Sequence, residues 1–327
     1  MTHTNTQAIG EQILQHIFHH RRLISHTEPC GQEPCPLCLA PHMQKIQYFI
    51  EREKPIHFIL PAFPAKSPNQ KKVLSSLPDM GEQVALQFLQ SLCVQIQDIY
   101  APGAEITICS DGRVFSDLVC VSDENVTAYG REIRNIIDEI NADAIALFNL
   151  EDVFLDLNFD QMREKIVLEY GESLENLRLL VKTDLNYRNL FNGIHRFLCE
   201  DYQALQPFKT RNQIKTECKE LAYSVIQRSN AWSSLVAQQF PQALRFSIHP
   251  QPFHSEKIGI HMIKTLDQWG TPWHNAVVHD GNQFLLLKRS QAEKADASLI
   301  WHNDRPSHFH VADISQFITT ISTQEAA

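Results

Sequence analysis

Apolar residues recur at helical spacing over residues 7–26, at Ile9, Ile13, Leu14, Ile17, Leu23 and Ile24. This predicts a helix with one buried face. A Pro/Cys/Gly-rich loop over 27–41 follows, then a second stripe (Met43, Ile46, Phe49, Ile50) that predicts a helix over 41–53. The period then changes. Residues 55–63 (PIHFILPAF) are continuously apolar and bounded by prolines, which predicts a buried strand. Helices are predicted over 79–100, with Asp79 as N-cap, and over 123–141; strands are predicted over 105–109 and 144–150. Strand alternating with helix is the pattern of a parallel sheet in an α/β domain. Residues 159–240 read as helices. Strands return over 244–249, 257–263, 271–279, 283–290 and 308–314, with Asp280-Gly281 as a hairpin turn. The tail from Thr319 is small and polar and reads as frayed.

The expected fold is therefore a Rossmann-like, mostly parallel α/β sheet with a helical extension and a C-terminal β-rich part. Its divisions are 1–54 (helical, with the Cys-rich loop), 55–240 (α/β core running into helices) and 241–327 (β-rich).

Composition removes several functions. The chain has 327 residues and only 11 glycines, none of them two or five apart. Neither GxGxxG nor a Walker A loop can occur, and both need glycine for close backbone approach to phosphate. The net charge of −9 leaves no basic footprint for nucleic acid. No apolar run approaches the ~18 residues of a membrane span. The polar, His-rich N-terminus lacks the apolar core of a signal peptide. A cytoplasmic protein is expected. Gly-x-Ser-x-Gly, HExxH and EF-hand patterns are also missing.

In open α/β sheets ligands bind beyond the carboxyl ends of the strands, and three polar segments fall there. Lys66, Ser67 and Asn69 offer a cation, a hydroxyl and an amide to an anion; a solvated loop turned by its prolines is the alternative. Arg113 can fork onto a carboxylate or phosphate, with Asp111 and Asp117 as proton acceptors; the alternative is an ordinary turn with Arg113 paired to Asp117. Glu151 and Asp152 read as a helix cap. Lys209, Arg211, Lys215 and Arg228 form a basic stretch, and Arg211 and Lys215 share one helix face. Among 16 histidines, His249, His254 and His274 lie on or near the returning strands; His249 is the candidate proton shuttle. Cys30, Cys35, Cys38 and His42 form a possible structural zinc set, with free thiols in a compact loop as the alternative.

The segments LPAFPAKSPN (60–69), LPDMGEQVALQFL (77–89), YAPGAEITICSDGRVFSDLV (100–119) and RNQIKTECKELAYSVIQRSNAW (211–232) resemble the isonitrile (isocyanide) synthase family, which includes the pyoverdine/dityrosine biosynthesis proteins. The resemblance covers most of the chain. It implies conversion of the α-amine of an L-amino acid, tyrosine or tryptophan, to an isonitrile, with C2 of ribulose 5-phosphate as the carbon donor. It implies no required metal or redox cofactor, and as pathway neighbour an Fe(II)/2-oxoglutarate-dependent oxygenase. In that chemistry Lys66, Ser67, Arg113, Lys209 and Arg211 are expected to bind the anionic substrates. Asp111, Asp117 and His249 are expected to move protons. A non-catalytic sugar-phosphate-binding regulator and a nicotinamide- or nucleotide-sugar-dependent enzyme are the alternatives.

Overall fold

A computed structural model describes residues 3–24, 30, 34–267, 269–315 and 317. The N-terminal part holds α1 (His3–Phe18) and α2 (Pro36–Ile50). The alternating part runs β1 (Ile56–Pro61), α3 (Met80–Ile99), β2 (Ala104–Cys109), α4 (Gly112–Phe115), α5 (Asp123–Glu139) and β3 (Ile145–Phe148). Four helices follow: α6 (Phe159–Tyr170), α7 (Leu174–Thr183), α8 (Leu185–Leu205) and α9 (Arg211–Gln239). The C-terminal part is β4 (Leu244–Ser247), β5 (Lys257–Gly259), β6 (Lys264–Thr265), β7 (Ala276–His279), β8 (Phe284–Leu287), α10 (Arg289–Lys294), β9 (Ser298–His302) and β10 (Arg305–His310).

The first sheet has the order β3-β2-β1-β4-β5 and is parallel throughout. This is the doubly wound order, and it reverses direction between β1 and β4. A boundary at 241 does not separate the sheets, because β4 and β5 lie beyond it and complete the parallel sheet. The second sheet, β6-β8-β7-β10-β9, is mixed, and its β7–β8 hairpin turns at Asp280-Gly281 as expected. Trp273, Val277 and Leu286 from this part are buried in the same apolar cluster as β1, β2, β4 and helices α1–α3. A separate cluster of Leu177, Phe191, Leu198, Ile214 and Cys218 holds α7, α8 and α9 together.

Local signals explain most elements. Asp79 caps α3 through a complete capping box: its carboxylate accepts from Gly81, and Glu82 accepts from the Asp79 N–H at 3.0 Å. Helix α2 starts five residues before the expected position. Pro36 occupies its first turn, where a missing N–H costs nothing, and Pro41 is carried inside the helix. The predicted strand over 271–279 begins as a 3₁₀ turn, Pro272–His274, before β7. Strand β9 is mostly solvent-facing, so it carries no apolar alternation to predict it. The tail from Thr319 lies outside the described residues. Among the described residues, no helix is long and apolar enough to cross a membrane.

Candidate active site

In open α/β sheets a reversal of strand order such as that between β1 and β4 marks the ligand crevice, beyond the carboxyl ends of the strands. The chain leaving β2 reaches it through Asp111 and Gly112, and the chain leaving β4 through His249. Gly112 is required by close approach rather than by a left-handed turn. A Cβ there would lie 1.9 Å from the Pro64 carbonyl oxygen. Gly112→Ala is expected to cost about 2–3 kcal/mol or more, since backbone must move to admit the methyl; chemical denaturation measures it.

Several residues expected to bind anions are instead neutralised by protein partners. The Lys66 side chain is fully buried and its Nζ lies 2.8 Å from both Asp79 Oδ2 and Glu82 Oε2, donating also to the Pro272 carbonyl at 3.0 Å. Ser67 donates to Asp201 Oδ2 on α8, beside Asn69, which donates to Asp201 Oδ1. The loop after β1 is thus fastened to α3 and α8. Arg113 is buried. It donates to Glu151, Asp123 and Thr127, and its guanidinium lies 3.5 Å from the Phe159 ring centroid. Glu151, expected as a helix cap, is thereby an ion-pair partner, while Asp152 accepts from the Asn149 N–H in the cap.

Asp117 is paired with Arg228, which accounts for that member of the basic stretch, and lies 3.7 Å from Arg163. Asp123 accepts from both Arg113 and Arg163, which hold its carboxyl down at about 2 against the upward push of its burial. Lys209 pairs with Glu217 on the surface, and Arg211 is exposed in the first turn of α9. Lys66, Arg113, Asp117 and Lys209 are thus paired with opposite charges, and Ser67 is hydrogen-bonded to Asp201.

Asp111 is enclosed by protein, and its Oδ1 has no hydrogen-bond partner among the described residues. Burial pushes its carboxyl up to about 7, with Arg245 acting in the opposite direction. Arg245 and Lys257 stand side by side in the β4–β5 register. Neither has a carboxylate within 4.0 Å among the described residues, and burial followed by mutual repulsion lowers Lys257. His249 is exposed and His274 half-buried, each with much protein around its ring. Burial, then nearby Arg22 and Lys257, holds His249 at about 4. Burial, then Lys72 and His249, holds His274 at about 3. Both imidazoles are therefore neutral at pH 7, and the buried Nδ1 of His274 has no partner among the described residues. Phe197 meets the His274 ring edge-on at 4.8 Å, and the exposed Trp269 lies 5.6 Å from His249.

The described residues thus place Arg245 near an aspartate poised near neutrality, and His249 near His274, both imidazoles neutral. A family model for pyoverdine/dityrosine biosynthesis protein matches residues 46–300, which spans both sheets up to β9. The chain belongs to this family of isonitrile synthases. The L-tryptophan isonitrile synthase AmbI2 of Fischerella ambigua is 63% identical over 94% of this chain and 93% of its own length. AmbI1, an L-tryptophan isonitrile synthase of the same organism, is 59% identical over 97% and 99%. The crystal structure of the PvcA protein of Pseudomonas aeruginosa superposes with a TM-score of 0.86 at 42% identity, covering 93% of this chain and 99% of that one.

In this isonitrile synthase, of the sequence-derived proton-transfer candidates Asp111 follows β2, His249 follows β4, and Asp117 is paired with Arg228. Arg245 and Lys257 were not singled out from the sequence, and Lys72, also not singled out, is paired with Asp201 at 2.6 Å and Glu200 at 3.1 Å. Arg245 had no signal, because nothing local shows that β4 returns beside β1 after the long helical excursion. His274 was singled out beside Trp273 in an otherwise apolar run, but not as the proton shuttle.

Proposed function

We propose that the enzyme converts the α-amine of L-tryptophan to an isonitrile, with ribulose 5-phosphate supplying the carbon, in the cytoplasm as a step of secondary metabolism. The observation that carries the geometry is the Asp111 carboxyl, buried, incompletely hydrogen-bonded and near neutral pKa beside Arg245, at the switch point of the sheet. Imine formation from an amine and a ketone expels water, and the later bond cleavages release further oxygen and carbon fragments. Each step needs a group that gives or takes a proton at pH 7. Asp111 is poised for that, and neutral His249 and His274 can accept a proton. Arg245 and Lys257 supply positive charge for the phosphate or the amino-acid carboxylate. Phe197 and Trp269 offer apolar surface to an aromatic side chain.

Tryptophan is preferred over tyrosine because the two relatives at 63% and 59% identity are named for it. Incubating purified protein with ribulose 5-phosphate and either amino acid tests both points. The expected product from tryptophan is heavier by one carbon and lighter by two hydrogens. Product from tyrosine alone would overturn the substrate assignment. Ligand-induced stabilisation with no product from either would leave a sugar-phosphate-binding protein instead.

A further inference from the structure

Residues 21–24 run along the open edge of the parallel sheet. Arg22 donates its N–H to the Gly259 carbonyl at 2.8 Å and accepts from the Gln251 N–H at 2.9 Å, and Ile24 donates to the Gln251 carbonyl at 3.1 Å. Two connections therefore meet outside this edge: the one leading into α2, and the β4–β5 loop that carries His249. At their meeting point Cys30, Cys35, Cys38 and His254 have their donor atoms all within 4.8 Å of one another. We propose that these four side chains bind one structural zinc ion.

The distances favour a metal over a chance gathering. The Sγ atoms of Cys35 and Cys38 are 3.8 Å apart, and Cys35 Sγ lies 3.5 Å from His254 Nε2. Tetrahedral zinc, with Zn–S near 2.3 Å and Zn–N near 2.0–2.1 Å, places two sulfurs about 3.8 Å apart and sulfur and nitrogen about 3.5 Å apart. Three thiolates and one imidazole make a closed structural set with no open position, suited to zinc and not to catalysis by it. His254 holds a left-handed backbone conformation (φ 61°), a strain that needs a compensating contact.

The spacing of the sequence had pointed to His42 as fourth ligand, and the structure replaces it. His42 lies a turn further along α2, buried, with its ring edge-on to Phe18 at 5.9 Å. His254 is exposed and comes from a segment 219 residues away from Cys35. The ion would pin the loop holding His249 to the start of α2, independently of which substrates the enzyme uses.

The test is metal content of the full chain, purified without chelators or metal-affinity resin. About one zinc per chain is expected by mass spectrometry of the metal. Cys38→Ser and the surface change His254→Ala should each bring it below a tenth of that, while His254→Cys and His42→Gln keep it. Cobalt added to chelator-treated parent should give intense thiolate-to-metal absorption. Lack of zinc in the parent together with no such absorption would overturn the proposal, as would full zinc content in His254→Ala. Loss of zinc in His42→Gln with retention in His254→Ala would return the site to the spacing-derived set.

Discussion

Asp111→Asn lowers kcat/KM at pH 7 by about 100-fold or more, the scale on which a positioned acid–base group acts. The substitution keeps the shape and the burial but removes the titrating proton. Stability separates this loss from misfolding. Burial raises the folded-state pKa of Asp111 from its ordinary 3.8 to about 7. A raised carboxyl contributes stability that is fully present below about pH 4 and is lost as the pH rises through 7. Above that, the parent carries a buried carboxylate that Arg245 compensates only in part. The variant is therefore expected to show a higher Tm than the parent at pH 8 and no gain at pH 4, while its activity is lower at both. Such a trade of stability for chemistry is common at active sites. A variant with near-parental turnover would remove Asp111 from the mechanism; one with reduced Tm at pH 8 would show that its role is structural.

Lys66→Met destabilises the fold by about 3–5 kcal/mol, because it strands buried charge without its counter-ion. The cluster is one ammonium facing two carboxylates, with Tyr129 donating to Glu82 at 3.1 Å. Burial disfavours the Lys66 ammonium, but Asp79 and Glu82 outweigh it and its pKa rises. One ammonium cannot neutralise two buried carboxylates. Burial and the Glu82 charge push Asp79 up to about 7, although Lys66 pulls it down. Replacing all three by Met, Asn and Gln is expected to recover part of the loss, because no charge then stays buried and uncompensated. Urea denaturation of the single and triple variants measures this. An unchanged midpoint in Lys66→Met combined with a higher KM for the sugar phosphate would restore Lys66 to substrate binding.

The helices and parallel strands were legible because each is a local pattern. PIHFILPAF reads as a buried strand and Asp79 as a cap without knowledge of the rest of the chain. Asp111 could be placed at the candidate site because it follows β2, a strand whose place in the sheet was also legible. Lys66 and Arg113 occupied the same kind of position and carry the right chemistry for anions. Their charges are cancelled by Asp79, Glu82, Asp123 and Glu151, and no periodicity reveals such pairing.

By itself the sequence determined the alternation of strand and helix, the exclusion of glycine-rich phosphate loops, and the family through its segments over 60–119 and 211–232. The tertiary structure alone decided that β4 lies beside β1, that Arg245 stands near Asp111 with Lys257 as its register neighbour, and that His254 rather than His42 meets the three cysteines. The physical reason is range. Secondary structure follows from hydrogen bonds and side-chain packing between near neighbours. The chemical state of a charge depends on whatever the fold brings within a few ångströms, and here that includes segments more than 200 residues apart.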